Sequence, residues 1–327
     1  MKLQFPFIQL PLAYDAAALA AEIDALGEAP WKPHPNALPG NSMLPLVAVD
    51  GDADNEAFAG PMRPTPALER CAYLRQVIAS FGAVVGRSRL MRLAGQAEVT
   101  RHVDTGYYWA ERTRVHVPIV TQPTVRFECG DAAINMAQGE CWIFDTWRQH
   151  RVLNDARESR VHLVVDTVGG GDFWNLVAQG RPHHMAMPGW TPARVAPGAN
   201  DGTFGCESTN VPAVMTPWEL NTHFGLLFAE SPDHPNNRLL RDAAQRLLRS
   251  WRGLWARYGE APEGRAEFRA ALQRMMEETR GPGMDVVLRN DVDWYTAMLT
   301  LVASNAVQDE TAPAPRTTNE YGVVDRA

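Results

Sequence analysis

The chain has 327 residues, of which 45% are hydrophobic and 21% charged, and a net charge of -7. That length sets a prior of one or two domains with a sizeable core, and the balance excludes a disordered chain. The positive charge is almost all arginine, spread along the sequence with only Lys2 and Lys32 as lysines, which argues against a nucleic-acid partner.

The opening run MKLQFPFIQLPLAYD is apolar but interrupted by Gln4, Pro6, Gln9 and Pro11. Without a basic region or a small-residue cleavage site it reads as an edge strand, not a signal peptide. No other stretch approaches the ~18 apolar residues of a membrane span. Cys71, Cys129, Cys141 and Cys206 show no CxxC spacing, and three lie in apolar stretches. They read as buried thiols, so the expected setting is soluble and cytoplasmic, with no membrane partner.

Asp15 is placed as an N-cap and Gly27 as the stop of a short helix. The proline-rich segment from Trp31 to Pro66 reads as an ordered loop with one strand at LPLVAV. Leu68, Cys71, Leu74, Val77, Ile78 and Phe81 then share one helical face before Gly82. Residues 1–85 form an α/β lead-in. From 86 to 168 the pattern changes to short apolar alternations separated by turn residues every eight to twelve positions. RLMRL, TRVHVPIV, TVRFEC, AINMA, ECWIFD and SRVHLVVDTV are six strand candidates, spaced as in a jelly roll. GGGDFW breaks the pattern, with GGG at 169–171 a turn, so the core is set at 86–175 and a loop-rich connection at 176–215. TPWE at 216–219 is a capping box with Pro217 at the first helical position. It opens a helical region, 216–308, in which Leu240, Ala243, Leu247, Trp251, Leu254 and Tyr258 form an apolar stripe. The tail, 309–327, has no periodic pattern and reads as flexible.

Within the β region, TRHVDTGYYW places His102 and Asp104 two apart, on one face of a strand. His150, after the strand ECWIF, is far enough along a jelly roll to return beside them. Two histidines and one aspartate would make a facial triad for Fe(II); the alternative is a polar rim at a strand end. Arg160 and His162 share one face of SRVHLVVD, and Arg114 and His116 share one face of TRVHVPIV. A guanidinium aimed into a barrel needs an anion, either a bidentate carboxylate ligand or an internal salt bridge to Glu128, Glu140 or Asp166. Tyr107, Tyr108, Trp109 and Arg112 flank the HxD, and Trp147, Arg148, Arg151 and Asn154 flank His150. These positions ring the mouth of such a barrel, with Tyr107, Trp109, Arg112, Trp147 and Arg148 the leading substrate-binding candidates and surface or packing roles the alternative. Asp145 and Asp166 read as braces.

RHVD, RVHVPIVTQPTVRFECGD, MAQGECWIFDTWRQHRVLN and RVHLVVD together resemble the aspartyl/asparaginyl β-hydroxylase family of Fe(II)- and 2-oxoglutarate-dependent oxygenases, which includes bacterial free-proline hydroxylases. The resemblance spans roughly residues 86–168: HxD, RxHxP, GExWxFD, the distal histidine and an arginine ten residues beyond it occur in order. It implies a double-stranded β-helix (a jelly roll, cupin-like), with His102, Asp104 and His150 as iron ligands and Arg160 on the distal carboxylate of 2-oxoglutarate. Arg114 and His116 would lie near that co-substrate, and O2 would be the oxidant. Some animal relatives carry glycine in place of the HxD carboxylate, and halogenating relatives of such oxygenases need it missing, so Asp104 points to hydroxylation.

The expected reaction is hydroxylation of an amino-acid substrate, first an Asp or Asn β-carbon in a peptide, with succinate and CO2 as co-products. A free amino acid such as proline is the second reading. A metal-binding jelly roll without oxygenase activity, an isomerase or sensor, is the third, and it leaves Arg114 and Arg160 without a shared purpose. Monomer and homodimer both remain open.

Overall fold

The computed structural model describes residues 1–35 and 38–308. The polypeptide opens with strand β1 (Phe7–Tyr14) and helix α1 (Ala16–Leu26). Asp15 accepts the Ala18 N–H and Gly27 stops the helix at φ 71°, as the sequence predicts. Strands β2 (Lys32–Pro33), β3 (Asn41–Val49) and β4 (Met62–Pro64) follow, so the proline-rich segment is more ordered than its composition suggests.

The single helical face expected over 68–81 is split into α2 (Pro66–Glu69) and α3 (Ala72–Ala79), because Cys71 leaves helical geometry at φ -111°, ψ 89°. The break is held from outside. Glu22 on α1 accepts the Tyr73 and Leu74 N–H groups at 2.7 and 2.9 Å, satisfying first-turn donors that no local side chain caps.

The core is built from β5 (Val84–Leu93), β6 (Ala97–His102), β7 (Thr113–Val120), β8 (Val125–Cys129), β9 (Ala132–Ile134), β10 (Glu140–Phe144), β11 (His150–Asn154) and β12 (Arg160–Gly169). Between β6 and β7 lies the short helix α4 (Tyr107–Ala110). The pairing is nested and antiparallel, first strand with last: β5 with β12, β6 with β11, β7 with β10, β8 with β9. One long hairpin thus folds over on itself, giving β10-β7-β12-β5 in one sheet and β6-β11-β8-β9 in the other. This is the double-stranded β-helix. The larger sheet continues through β3 and β2 on one side. On the other it continues through β1, and β13 (Arg181–Pro182) and β14 (Ala193–Val195) both pair with β1. β1 is therefore an interior strand, not the edge strand its prolines suggest.

Period-2 alternation places Phe127, Phe144, Cys129, Val152 and Trp142 in a core cluster with Phe7 and Leu93. Each large apolar side chain buried there contributes about 1.5–3 kcal/mol. At the end of β12, Gly169 and Gly170 at φ 89° and 152° turn the chain, as the GGG predicts, into α5 (Gly171–Ala178), a helix the sequence reading did not foresee.

The chain divides into two compact units. Among the described residues the β unit takes Met1–Asp104 and Glu111–Ser208, and the helical unit takes Thr105–Ala110 and 209–308. In the helical unit α6 (Pro217–Glu230) starts at Thr216, whose hydroxyl accepts the Glu219 N–H. Then come α7 (Asn237–Tyr258), α8 (Arg265–Met284) and α9 (Trp294–Met298). Leu240, Ala243, Leu247 and Trp251 of the predicted stripe are buried; Trp251 packs on Phe268 at 4.6 Å between ring centroids and donates to the Met215 carbonyl. No helix among the described residues is long and apolar enough to cross a membrane. The tail at 309–327 lies outside the described residues.

Candidate metal and co-substrate site

Nested pairing brings distant residues into one place. His102 ends β6, His150 begins β11, and the two are Cα partners across the pair. Asp104 follows β6, tied down by its N–H to the Thr146 carbonyl at 3.0 Å. The potential ligand atoms of His102, Asp104 and His150 lie within 4.8 Å of one another, and all three residues are buried. His102 Nε2 is 3.9 Å from Asp104 Oδ1, and His150 Nε2 is 3.9 Å from Asp104 Oδ2.

The tautomers follow from the neighbours. His102 Nδ1 is 2.7 Å from the Thr100 carbonyl and His150 Nδ1 is 2.9 Å from the Arg148 carbonyl. A carbonyl only accepts, so each Nδ1 carries the hydrogen and each Nε2 keeps its lone pair. Burial, reinforced by the nearby Arg114, pushes the His150 pKa down to about 3, so it is neutral at physiological pH. Two neutral imidazoles and one carboxylate, on one side of a cavity, are the donor chemistry that Fe(II) takes in oxygenases.

The cavity lies inside the β-helix. It is lined by His102 and His150, by Arg89 and Met91 of β5, by Arg114 and His116 of β7, and by Arg160 and Val164 of β12; Asn41, Val99, Phe127, Phe144 and Val152 complete it. Alternation along β12 turns Arg160 and Val164 inward, and alternation along β7 does the same for Arg114 and His116. Arg114 is shared between two acids, Nη1 being 3.3 Å from Asp104 Oδ2 and Nε 3.1 Å from Asp166 Oδ1. Both sequence readings of Arg114 thus meet in one residue: it makes the internal ion pair with Asp166 and also faces the cavity. Phe144 packs edge-on against His150 at 4.9 Å, and Phe127 and Phe144 flank His116 at 5.4 Å each.

The five residues expected at a substrate mouth have other occupations. Arg112 is 3% exposed and makes a two-pronged pair with Glu207, both contacts 2.8 Å. Tyr107 and Trp109 belong to the helical unit, where Tyr107 hydrogen-bonds Glu219 and meets the His223 ring at 5.6 Å, and Trp109 packs edge-on against Tyr108 at 4.7 Å. Trp147 is buried in the turn between β10 and β11, its backbone N–H held by Asp145 Oδ1. Arg148 is half-exposed and pairs with Asp145 Oδ2 at 2.9 Å, which gives Asp145 the bracing role expected of it. Of the remaining candidates, Arg151 pairs with Glu128 and Asn154 donates to the Leu93, Ala94 and Glu158 carbonyls.

Arg89 and Asn41 are cavity residues the sequence reading passed over. Arg89 did carry a signal: Arg87 and Arg89 alternate along β5 just as Arg114 and His116 do along β7. Asn41 carried none, since only the long-range pairing of β3 with β5 brings it in.

Parts of the chain are similar to known proteins. Residues 55–169 match the family model described as aspartyl/asparaginyl beta-hydroxylase. L-proline cis-3-hydroxylase 1 of Streptomyces sp is 25% identical over 138 residues, which are 40% of this chain and 48% of that protein. The chain therefore spans about half the length of that curated relative. Among solved structures, an oxidoreductase of the 2OG-Fe(II) oxygenase family from Burkholderia pseudomallei is similar over 51% of this chain and 88% of its own, with 15% identity and a TM-score of 0.36. A Pseudomonas putida prolyl-4-hydroxylase is similar over 50% and 92%, with 14% identity and a TM-score of 0.34.

Proposed function

We propose that this chain, whose residues 55–169 match the aspartyl/asparaginyl beta-hydroxylase family model, is an Fe(II)- and 2-oxoglutarate-dependent hydroxylase of an amino-acid substrate. One observation carries the reading: His102, Asp104 and His150 converge in a cavity that Arg114 and Arg160 also line. An isomerase or sensor would need the triad but not the cationic wall.

Iron held by His102, Asp104 and His150 would supply the oxidative chemistry, in which O2 and 2-oxoglutarate give succinate, CO2 and a hydroxylated substrate C–H bond. The protein's own residues do the rest. His102 and His150 offer fixed Nε2 lone pairs, because their Nδ1 hydrogens are committed to backbone carbonyls. Arg114, anchored on Asp166, holds the Asp104 carboxylate in place. Arg160 is the two-pronged donor for the distal carboxylate of 2-oxoglutarate, and His116 lies beside that path. Phe127, Phe144 and Val152 keep the surroundings dry, which strengthens each of these contacts.

The enclosed lining favours a small substrate. Asn41, Arg89, Arg114 and Arg160 are each less than 10% exposed. With Arg114 engaged by Asp104 and Asp166, Arg160 and Arg89 are the two other guanidiniums of the cavity, which suits one carboxylate of 2-oxoglutarate and a second carboxylate, that of a free amino acid of the proline type. An Asp or Asn residue in a peptide is the second reading, supported by the description of the matching family model. A mass-spectrometric screen of free amino acids and short Asp- and Asn-containing peptides separates the two. A product one oxygen heavier from a free amino acid supports the first, from peptides alone the second, and from neither the reading of the site as a hydroxylase fails.

A further inference from the structure

The three triad residues are not held alike. His102 and His150 belong to strands and are Cα partners across the β6–β11 pair, whereas Asp104 lies past the end of β6. Its direction therefore depends on what grips the chain on either side of it. On one side its own N–H donates to the Thr146 carbonyl at 3.0 Å. On the other, Thr105, 2% exposed, opens the segment 105–110 that belongs to the helical unit. The Thr300 hydroxyl, in that same unit, donates to Thr105 Oγ1 at 3.0 Å and has the Thr105 carbonyl at 3.3 Å. Two residues further on, Tyr107 hydrogen-bonds Glu219 of α6.

Thr300 sits in a π-helical turn, Leu299–Ala303, that continues α9; the Ser304 N–H reaches back five residues to the Leu299 carbonyl at 3.0 Å. Single π turns within α-helices recur at functional sites. A threonine inside a helix can give its hydroxyl hydrogen to a carbonyl of its own preceding turn. Thr300 has two such carbonyls, those of Thr296 and Ala297, at 3.2 Å each, yet Thr105 Oγ1 is nearer. A hydroxyl carries one hydrogen, and the nearest acceptor takes it. We infer that Thr300 is a positioning residue of the metal site: by fixing Thr105 it fixes the backbone from which the Asp104 carboxylate projects. This rests on the proposed reading of the triad as a metal site.

Mn(II) titration of the full-length, metal-free protein, followed by electron paramagnetic resonance, tests it, with thermal unfolding of each variant alongside. Losing an outer-shell partner of a metal ligand typically costs 10–100-fold in metal affinity. Thr300 acts one residue further out, so Thr300→Val, which takes away the hydroxyl, should weaken Mn(II) about fivefold, and Thr300→Ser should restore it. Thr105→Val, the other half of the hydroxyl pair, should give the same loss, and the double variant no more than either alone. Leu247→Ala, which opens the buried core of the helical unit at α7, should lower the unfolding midpoint at least as far and leave Mn(II) affinity unchanged. Affinity within twofold of wild type in both single valine variants overturns the inference. So does an equal loss in Leu247→Ala, which would make the effect a general loosening of the helical unit. Equal Mn(II) binding by wild type and His150→Ala overturns the metal-site reading as well, and so separates that failure from this one.

Discussion

The imidazoles of His102 and His150 stand ring to ring across the β6–β11 pair, 4.1 Å between centroids, each giving its Nδ1 hydrogen to the carbonyl two residues before it. This symmetry places both Nε2 lone pairs on one side. Losing an outer-shell partner of a metal ligand typically costs 10–100-fold in metal affinity. His102→Ala or His150→Ala, which removes the ligand itself, should lower Fe(II) affinity by more than that in an anaerobic metal titration. Affinity within threefold of wild type would remove that residue from the metal site.

Arg160 is expected to bind through two parallel N–H donors, and hydrogen bonds to charged groups are worth about 1.5–3 kcal/mol. Arg160→Ala should therefore raise the KM for 2-oxoglutarate roughly 10–150-fold. Arg160→Lys should recover only part of the loss, because an ammonium cannot reproduce the fork. The KM for the amino-acid substrate should move far less; a change confined to that substrate would reassign Arg160.

Arg112 and Glu207 form a buried pair whose value is structural. Glu207→Gln deprives a buried guanidinium of its charged partner and should destabilise the fold by about 3–5 kcal/mol in denaturant unfolding. Replacing both residues with apolar ones of similar volume should recover most of the loss. If Glu207→Gln leaves stability intact but raises the substrate KM, Arg112 returns to the substrate mouth.

His223, 1% exposed in the helical unit, has its pKa lowered to about 4 by burial. It is neutral in the folded state, while the unfolded chain takes up a proton below the ordinary histidine value of about 6.5. Its contribution is therefore full above pH 6.5 and is lost as pH falls toward 4. Between pH 7 and pH 5 the wild type should lose about 2 kcal/mol more stability than His223→Phe, measured by urea unfolding at each pH. Equal losses would mean that His223 is accessible to protons in the folded state.

Local chemistry made much of this molecule legible in advance. Asp15, Gly27, Thr216 and Pro217 set helix ends where caps predict them, and β7 spans the whole of TRVHVPIV, because these signals act within a few residues. The triad and Arg160 were readable as spacings, since nested pairing turns positions far apart in sequence into neighbours. β11 was missed as a strand: it has five residues and polar ends, so its identity comes from the partners β6 and β8 on either side. The break at Cys71 depends on Glu22, about fifty residues away. The aromatic residues after the HxD fall in the helical unit, across a boundary that no local signal in the sequence marks. The chain passes into that unit at Thr105, one residue beyond Asp104.

The most direct test of the central claim is succinate release by the purified protein supplied with Fe(II), ascorbate, 2-oxoglutarate and O2. The account predicts succinate that rises when the right amino acid or peptide is added, in step with a product one oxygen heavier, and that vanishes in His150→Ala. Succinate no higher than in His150→Ala, across the whole substrate panel, would contradict it.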